Sequence, residues 1–329
     1  MNRLGAHRTP FFFAFDYDLE EPVIHPLSEL PTEIRFVTPS VSVRADEETA
    51  RPVRISTVEP VSVERYRRGF EIVQEAQRAG DSYLANLTFP SGITLDGDLD
   101  AVFEQAYAPY RLKVGERFVV FSPEAFVTIS GSTISTYPMK GTRETAPWRP
   151  GLGHAAKEIL AYDALLADEK ETAEHATVVD LLRNDIGRVA AEVRVPRFRY
   201  VDRLRFPERT LFAVSSEIEG TLDDEWRGRL GEIFEQMLPA GSITGAPKES
   251  TCRIIAEAEL DARGFYTGVF GVFDGARVES AVMIRYIESC PGGYRFRSGG
   301  GITIYSECER EYRELIDKVA IPWRRPDAA

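Results

Sequence analysis

The chain has 329 residues, 43% hydrophobic and 28% charged, and 52 acidic against 40 basic side chains give a formal net charge of -12. That length allows about two domains of roughly 150 residues and a large buried core, while the acidic balance argues against nucleic acid or an anionic membrane as partner. No apolar run approaches the roughly 20 residues of a membrane span, and the three cysteines, Cys252, Cys290 and Cys308, have neither metal-binding spacing nor a disulfide framework. The short Phe11–Phe13 cluster behind Arg3, His7 and Arg8 is too small for a secretory leader, so a cytoplasmic protein is expected.

In chain order, prolines at 22, 26, 31, 39, 52 and 60 break residues 11–60 into short strands. A helix is predicted over 63–79, with Tyr66, Phe70 and Val73 on one stripe and Gly80 as its stop. Strand-like alternation follows at 117–121, 125–129 and 133–137. A second helical stretch covers 153–183 and ends near Gly187; strands at 193–201 and 211–219 and a helix at 224–237 come next. A loop over Pro239–Lys248 opens a helix at 248–260, and strands at 267–273 and 280–287 precede Tyr294–Arg297, a triple glycine and a helix at 308–320. Strands and helices mix without βαβ alternation, which favours an α+β fold. No long linker is visible, so one compact unit is expected, with a strand-rich segment, 1–60, packed on a larger body, 61–329.

Two glutamate pairs stand out. Glu171 and Glu174 begin a stripe through His175, Val178, Val179 and Leu182, and Glu311 and Glu314 begin another through Leu315, Lys318 and Val319. Each pair puts two carboxylates on one helix face that runs on into core positions. Four such oxygen donors suit a hard cation that keeps some water, Mg²⁺ by default; equally, glutamates in a first turn complement the helix dipole while solvated.

Ser298-Gly-Gly-Gly301 reads either as a plain tight turn or bulge, or as a turn whose bare amides bind an anion. Pro239–Lys248 is a second glycine-bearing loop at a helix start, but without P-loop order, and no G-x-G-x-x-G occurs, which disfavours nucleotide. Lysine is scarce, six against 34 arginines, and Lys140 lies in a turn bounded by proline and glycine, Tyr137-Pro-Met-Lys-Gly-Thr142. A buried amine can lose its proton and attack an electrophile, which a guanidinium cannot; a solvated loop lysine is the plain alternative. No G-x-S-x-G or similar nucleophile motif is present.

Together these segments resemble the chorismate-utilising enzymes. The matching strings are Ser122–Phe126, Pro138-Met-Lys-Gly-Thr142, Glu171-x-x-Glu-His-Ala-Thr-Val-Val-Asp-Leu-Leu-Arg-Asn-Asp-Ile-Gly-Arg188, Pro239–Lys248, and Gly299–Ile302 followed by Glu311-Tyr-Arg-Glu314, all in the family's order. The resemblance implies one large chorismate-binding catalytic domain with antiparallel or mixed sheets in layers and helices outside. It also implies Mg²⁺ on Glu171, Glu174, Glu311 and Glu314, and a substrate carboxylate held by Tyr266, Arg285 and the amides at Gly299 and Gly301. Ser242 and Thr142 match polar substrate contacts, and Glu124 matches a general acid/base beside the leaving C4 hydroxyl.

Lys140 selects within the family. Anthranilate and isochorismate synthases carry a small residue there, whereas aminodeoxychorismate synthases carry lysine, taken to attack C2 before ammonia displaces it through C4. The implied product is 4-amino-4-deoxychorismate, on the route to p-aminobenzoate and folate. Two positions depart from the pattern: Ala213 stands where many members have His or Gln, and Met139 replaces the usual Ile. The segment before residue 120 is shorter than in longer members, so amino-acid feedback is not expected. No cysteine lies in a G-x-C-x-G turn, so ammonia is expected from a partner glutamine amidotransferase. The alternatives are an anthranilate or isochorismate synthase, or a non-catalytic chorismate-binding scaffold.

Overall fold

The computed structural model describes residues 1–45, 53–145, 169–205 and 210–323, with side chains at all of these except 140–145, 169–171, 174, 202–205, 210, 211 and 213. Among them, two nine-stranded sheets form the centre of the molecule. The first runs Met139–Thr145, Thr210–Thr221, Thr133–Thr136, Ala125–Ser130, Val278–Val282, Val269–Phe273, Phe11–Phe15 and Val23–Pro26, with Ala191–Arg205 also on Thr210–Thr221. The second runs Gly245–Ala246, Leu84–Leu95, Gly293–Ile302, Tyr286–Cys290, Phe118–Ser122, Tyr110–Val114, Ile34–Val37 and Ser42–Val43, with Ile55–Glu59 also on Leu84–Leu95. Residues 11–59 thus supply strands to both sheets, and the central pairings are antiparallel. The fold is α+β, as the mixed pattern predicts.

The apolar run at Phe11–Phe15 shows why the layers form. Successive side chains alternate faces: Phe11 and Phe13 join Trp226 and Phe234 under the helices, while Phe12 and Ala14 join Phe36, Leu112 and Val120 between the sheets. A strand buried on both faces reads as a continuous apolar stretch rather than an alternating one. Each of these phenylalanines is fully buried, a contribution of about 2–3 kcal/mol apiece.

Helices cover the outer faces. Glu169–Gly187 lays Val178, Val179, Leu182 and Ile186 on the first sheet. Leu99–Gln105 covers one part of the second sheet through Leu99, Val102 and Phe103. Val63–Ala79, Lys248–Glu259 and Cys308–Asp317 cover another around Leu87 and Phe89. The Val63–Ala79 helix has the predicted bounds for local reasons: the Ser62 side chain accepts from the Arg65 amide, and Gly80 caps the other end at φ 86°.

Several expectations are corrected. The triple glycine is not a turn but part of the strand Gly293–Ile302, paired Gly299↔Thr88 and Gly300↔Leu87. A Cβ at Gly299 would lie 2.3 Å from the Leu87 carbonyl oxygen, so glycine there serves close strand approach. Lys140 is not in a turn either: it pairs with Val214 in Met139–Thr145, where the register shifts between Lys140 and Thr142. The strand expected at 280–287 is two strands, Val278–Val282 and Tyr286–Cys290, in different sheets, parted at Arg285 with φ 55°. The helix expected at 224–237 is a 3-10 turn, Trp226–Arg229, and then a helix, Leu230–Met237. The Pro239–Lys248 loop contains a helical turn, Gly241–Thr244. Of the stretch expected as helix at 153–183, residues 153–168 lie outside the described residues. No helix among the described residues is long and apolar enough to cross a membrane.

Candidate active site

A cavity of about 530 Å³ opens where the strands Leu84–Leu95 and Gly293–Ile302 meet the helix Cys308–Asp317. Its wall draws on distant parts of the chain: Asn86 from one strand, Glu124 after another, Met139, Ser242, Tyr266, Arg285, the strand 296–301, Arg310, Glu311 and Glu314 from the helix, and Lys318 at its C-cap. The crossover between the sheets sets two of these. Thr267, at φ 61°, donates its amide to Met283 O (2.9 Å), and Met283 returns a bond to Gly268 O (2.7 Å). A positive φ at a β-branched residue costs about 1–3 kcal/mol and persists only when its surroundings impose it. Here it leaves Tyr266 and Arg285 both facing the cavity. Burial pushes the Tyr266 phenol up to about 12 and pulls the Arg285 guanidinium down, though an arginine stays charged. Arg285 Nη1 donates to Lys318 O at 2.7 Å, tying the crossover to the last helix.

The glycines define the floor. A Cβ on Gly300 would lie 3.4 Å from Glu314 Oε1, 3.5 Å from Lys318 Nζ and 3.9 Å from Glu311 Oε2. Both carboxylates and the ammonium therefore converge over one bare backbone position. Glu311 is buried, in the first turn of its helix; Lys318, one turn after Glu314, pairs with it at 2.8 Å and donates to Gly299 O at 2.7 Å.

Two buried ion pairs brace the walls from behind. Arg263 donates to both Glu259 oxygens (2.9 and 2.6 Å), to Ile243 O (2.8 Å) and to Asn86 O (2.6 Å), so one guanidinium joins two wall segments. Glu259 also accepts the Thr88 amide at 2.8 Å. Lys248 Nζ donates to Asp185 Oδ1 (2.6 Å) and Met237 O (2.8 Å), and Asp185 Oδ2 accepts the Gly241 amide (3.2 Å), which anchors the turn carrying Ser242. Burial raises the Asp185 carboxyl and lowers the Lys248 amine, while their mutual contact opposes both shifts.

Of the residues singled out by sequence, Glu124, Ser242, Tyr266, Arg285, Gly299, Gly301, Glu311 and Glu314 line this one cavity. Lys140, Thr142, Glu171 and Glu174 belong to described strand and helix backbone, but their side chains lie outside the described residues, as does that of Ala213. Met139, beside Lys140, is in the wall. Among the described residues no group of three or more His, Cys, Asp or Glu side chains could hold a metal ion. No motif in the sequence assigns a role to Lys318, Asn86, Arg297 or the Arg263–Glu259 pair. Lys318 carried a signal, being on the Glu311 stripe in a lysine-poor chain; the other contacts depend on tertiary pairing.

A family description, chorismate binding enzyme, matches residues 20–324. The chain is 45% identical over 98% of its length to an uncharacterised PabA-like protein of Pasteurella multocida, covering 96% of that protein. It is 37% identical to an anthranilate synthase component 1 of Haloarcula marismortui, over 75% of this chain and 48% of that one. It is 33% identical to aminodeoxychorismate synthase component 1 of Escherichia coli, over 78% of this chain and 56% of that one. Among solved structures, anthranilate synthase component I from Streptococcus pneumoniae aligns with a TM-score of 0.65 at 27% identity, over 82% of this chain and 59% of that chain.

Proposed function

The chain belongs to the chorismate binding enzyme family, and from that premise we propose that it is an aminodeoxychorismate synthase component I. It would convert chorismate and ammonia to 4-amino-4-deoxychorismate for p-aminobenzoate and folate synthesis in the cytoplasm, with ammonia from a partner glutamine amidotransferase. Sequence identity does not choose between subfamilies, since relatives named for anthranilate synthase are at 32–37% and those named for aminodeoxychorismate synthase at 31–33%. The observation that carries the reading is Lys140 itself, on the strand whose Met139 faces the cavity with Glu124.

In this reading the Lys140 amine bonds C2 of the ring, both double bonds of the ring diene shift by one position, the C4–oxygen bond breaks, and Glu124 supplies the proton with which the hydroxyl leaves as water. Ammonia then bonds C4, the two double bonds shift back, the C2–nitrogen bond breaks, and the proton that ammonia gives up returns to the departing Lys140 amine. Tyr266, Arg285 and the strand at 299–301 would hold the enolpyruvyl carboxylate, Arg285 through its planar fork. Ser242 and Thr142 would make the remaining polar contacts.

The donor set fits Mg²⁺: Glu311 and Glu314 converge over Gly300, where a Cβ would fill the space, and carboxylate oxygens suit that ion. Glu311 and Glu314, with Glu171 and Glu174, would hold it. Bound there, Mg²⁺ would neutralise the ring carboxylate and act as a Lewis acid toward it.

The test is product identity. Purified protein given chorismate, Mg²⁺ and ammonium salt should form a product that an aminodeoxychorismate lyase converts to p-aminobenzoate. Anthranilate or isochorismate instead would assign the chain to another branch of the family.

A further inference from the structure

The helix Cys308–Asp317 and its C-cap residue Lys318 carry two parallel stripes. Glu311, Glu314 and Lys318 face the cavity floor, whereas Arg310, Arg313 and Asp317, at the i, i+3, i+7 spacing of one face, form a second cavity of about 400 Å³ with Arg285, Glu314 and Lys318. Arg285, Arg310, Glu314 and Lys318 belong to both cavities, so the second is the outer mouth of the first. Its lining has four cationic side chains against two anionic ones, in a chain whose net charge is -12. Arg310 and Arg313 are exposed, and neither is taken up by an ion pair among the described residues.

We propose that Arg310 and Arg313 form a cationic rim that collects the dicarboxylate substrate of this site against the repulsion of an acidic protein. The inference rests on the chorismate reading above and names two residues that act before the chemistry. A cleft whose lining carries an excess of one sign of charge concentrates ligands of the opposite sign. The rim touches no reacting atom, so it acts on KM and leaves kcat in place. It is also solvated, so salt screens it over the Debye length of about 10 Å at 0.1 M.

The test measures chorismate disappearance, whichever product forms, at ionic strengths of about 20 and 300 mM. Wild type is compared with Arg310→Gln, Arg313→Gln, the double variant, and Arg194→Gln as a surface control. The double variant should raise KM about three- to tenfold at low salt, keep kcat within about twofold, and lose most of the salt dependence that wild type shows. Arg310→Glu/Arg313→Glu should raise KM further, while Arg194→Gln should match wild type. A double variant with unchanged KM and unchanged salt slope overturns the rim and leaves the chorismate reading standing. A fall in kcat alone overturns it too, since the arginines would then act in the chemistry. Wild type that neither binds nor consumes chorismate overturns the functional reading, and the rim with it.

Discussion

Arg263→Leu tests whether the cavity walls depend on the buried brace behind them. The change removes the partner of Glu259, which is only 4% exposed, and strips donors from the Ile243 and Asn86 carbonyls, now held at 2.8 and 2.6 Å. Breaking one side of a buried ion pair costs about 3–5 kcal/mol, because a charge is left uncompensated in a poorly polarisable interior. The two carbonyls add a further penalty that does not sum simply with the first. Against a total stability of about 5–15 kcal/mol, the variant should remain folded but lose roughly 6–20 °C in Tm, at about 2–4 °C per kcal/mol. Glu259→Leu/Arg263→Leu should recover part of that loss, since no buried charge remains. It should not recover all of it, because the Thr88 amide, 2.8 Å from Glu259 Oε1, also loses its acceptor. The assay is urea unfolding followed by far-UV circular dichroism for the wild type and the single and double variants. A single variant within about 1 kcal/mol of wild type would refute the reasoning, because breaking a coupled buried pair cannot cost so little. So would a double variant whose loss equals the sum of the two single losses, since that shows no coupling.

Two further outcomes follow from neighbouring features. Gly299→Ala should part the strands, because its Cβ would lie 2.3 Å from Leu87 O; Gly300→Ala, meeting Glu314 Oε1 at 3.4 Å, should fold and instead weaken Mg²⁺-dependent turnover. Thermal scans and Mg²⁺ titration separate the two, and equal stability loss in both would count against this account. The Tyr266 phenol is raised to about 12 from an ordinary value near 10 by burial. A folded value above the unfolded one means stability that is fully present below about pH 10 and falls as pH rises toward 12, by about 1.4 kcal/mol per unit for a fully buried phenol. Tyr266→Phe should flatten that alkaline limb in pH-dependent unfolding, and an unchanged limb would assign it to other groups.

How far the sequence carries varies with the kind of order involved. Periodicity located the Val63–Ala79 helix and the stripe Val178, Val179 and Leu182, because amphipathic spacing and caps are local. It passed over Leu84–Leu95, the longest strand on the cavity wall. That strand is buried on parts of both faces and contains Pro90 and Gly92, which read as breakers until Gly293–Ile302 is seen paired along it. The glycines at 299–301 were visible, but their purpose was not: close approach to Leu87 is a property of the pairing, not of the string. Arg285 read as part of one strand, and only the sheet-to-sheet crossover shows why it sits at φ 55°. The motifs located eight residues of one cavity in advance, but the side chains behind them, Arg263, Glu259, Lys248 and Asp185, answer to three-dimensional contacts that no spacing reveals.

The most direct measurement is chromatography of the products of wild type and Lys140→Ala side by side, each with chorismate, Mg²⁺ and excess ammonium salt, before and after adding an aminodeoxychorismate lyase. p-Aminobenzoate is expected from the wild type only after the lyase, and none from Lys140→Ala. Wild-type anthranilate, or undiminished p-aminobenzoate from Lys140→Ala, would contradict that expectation.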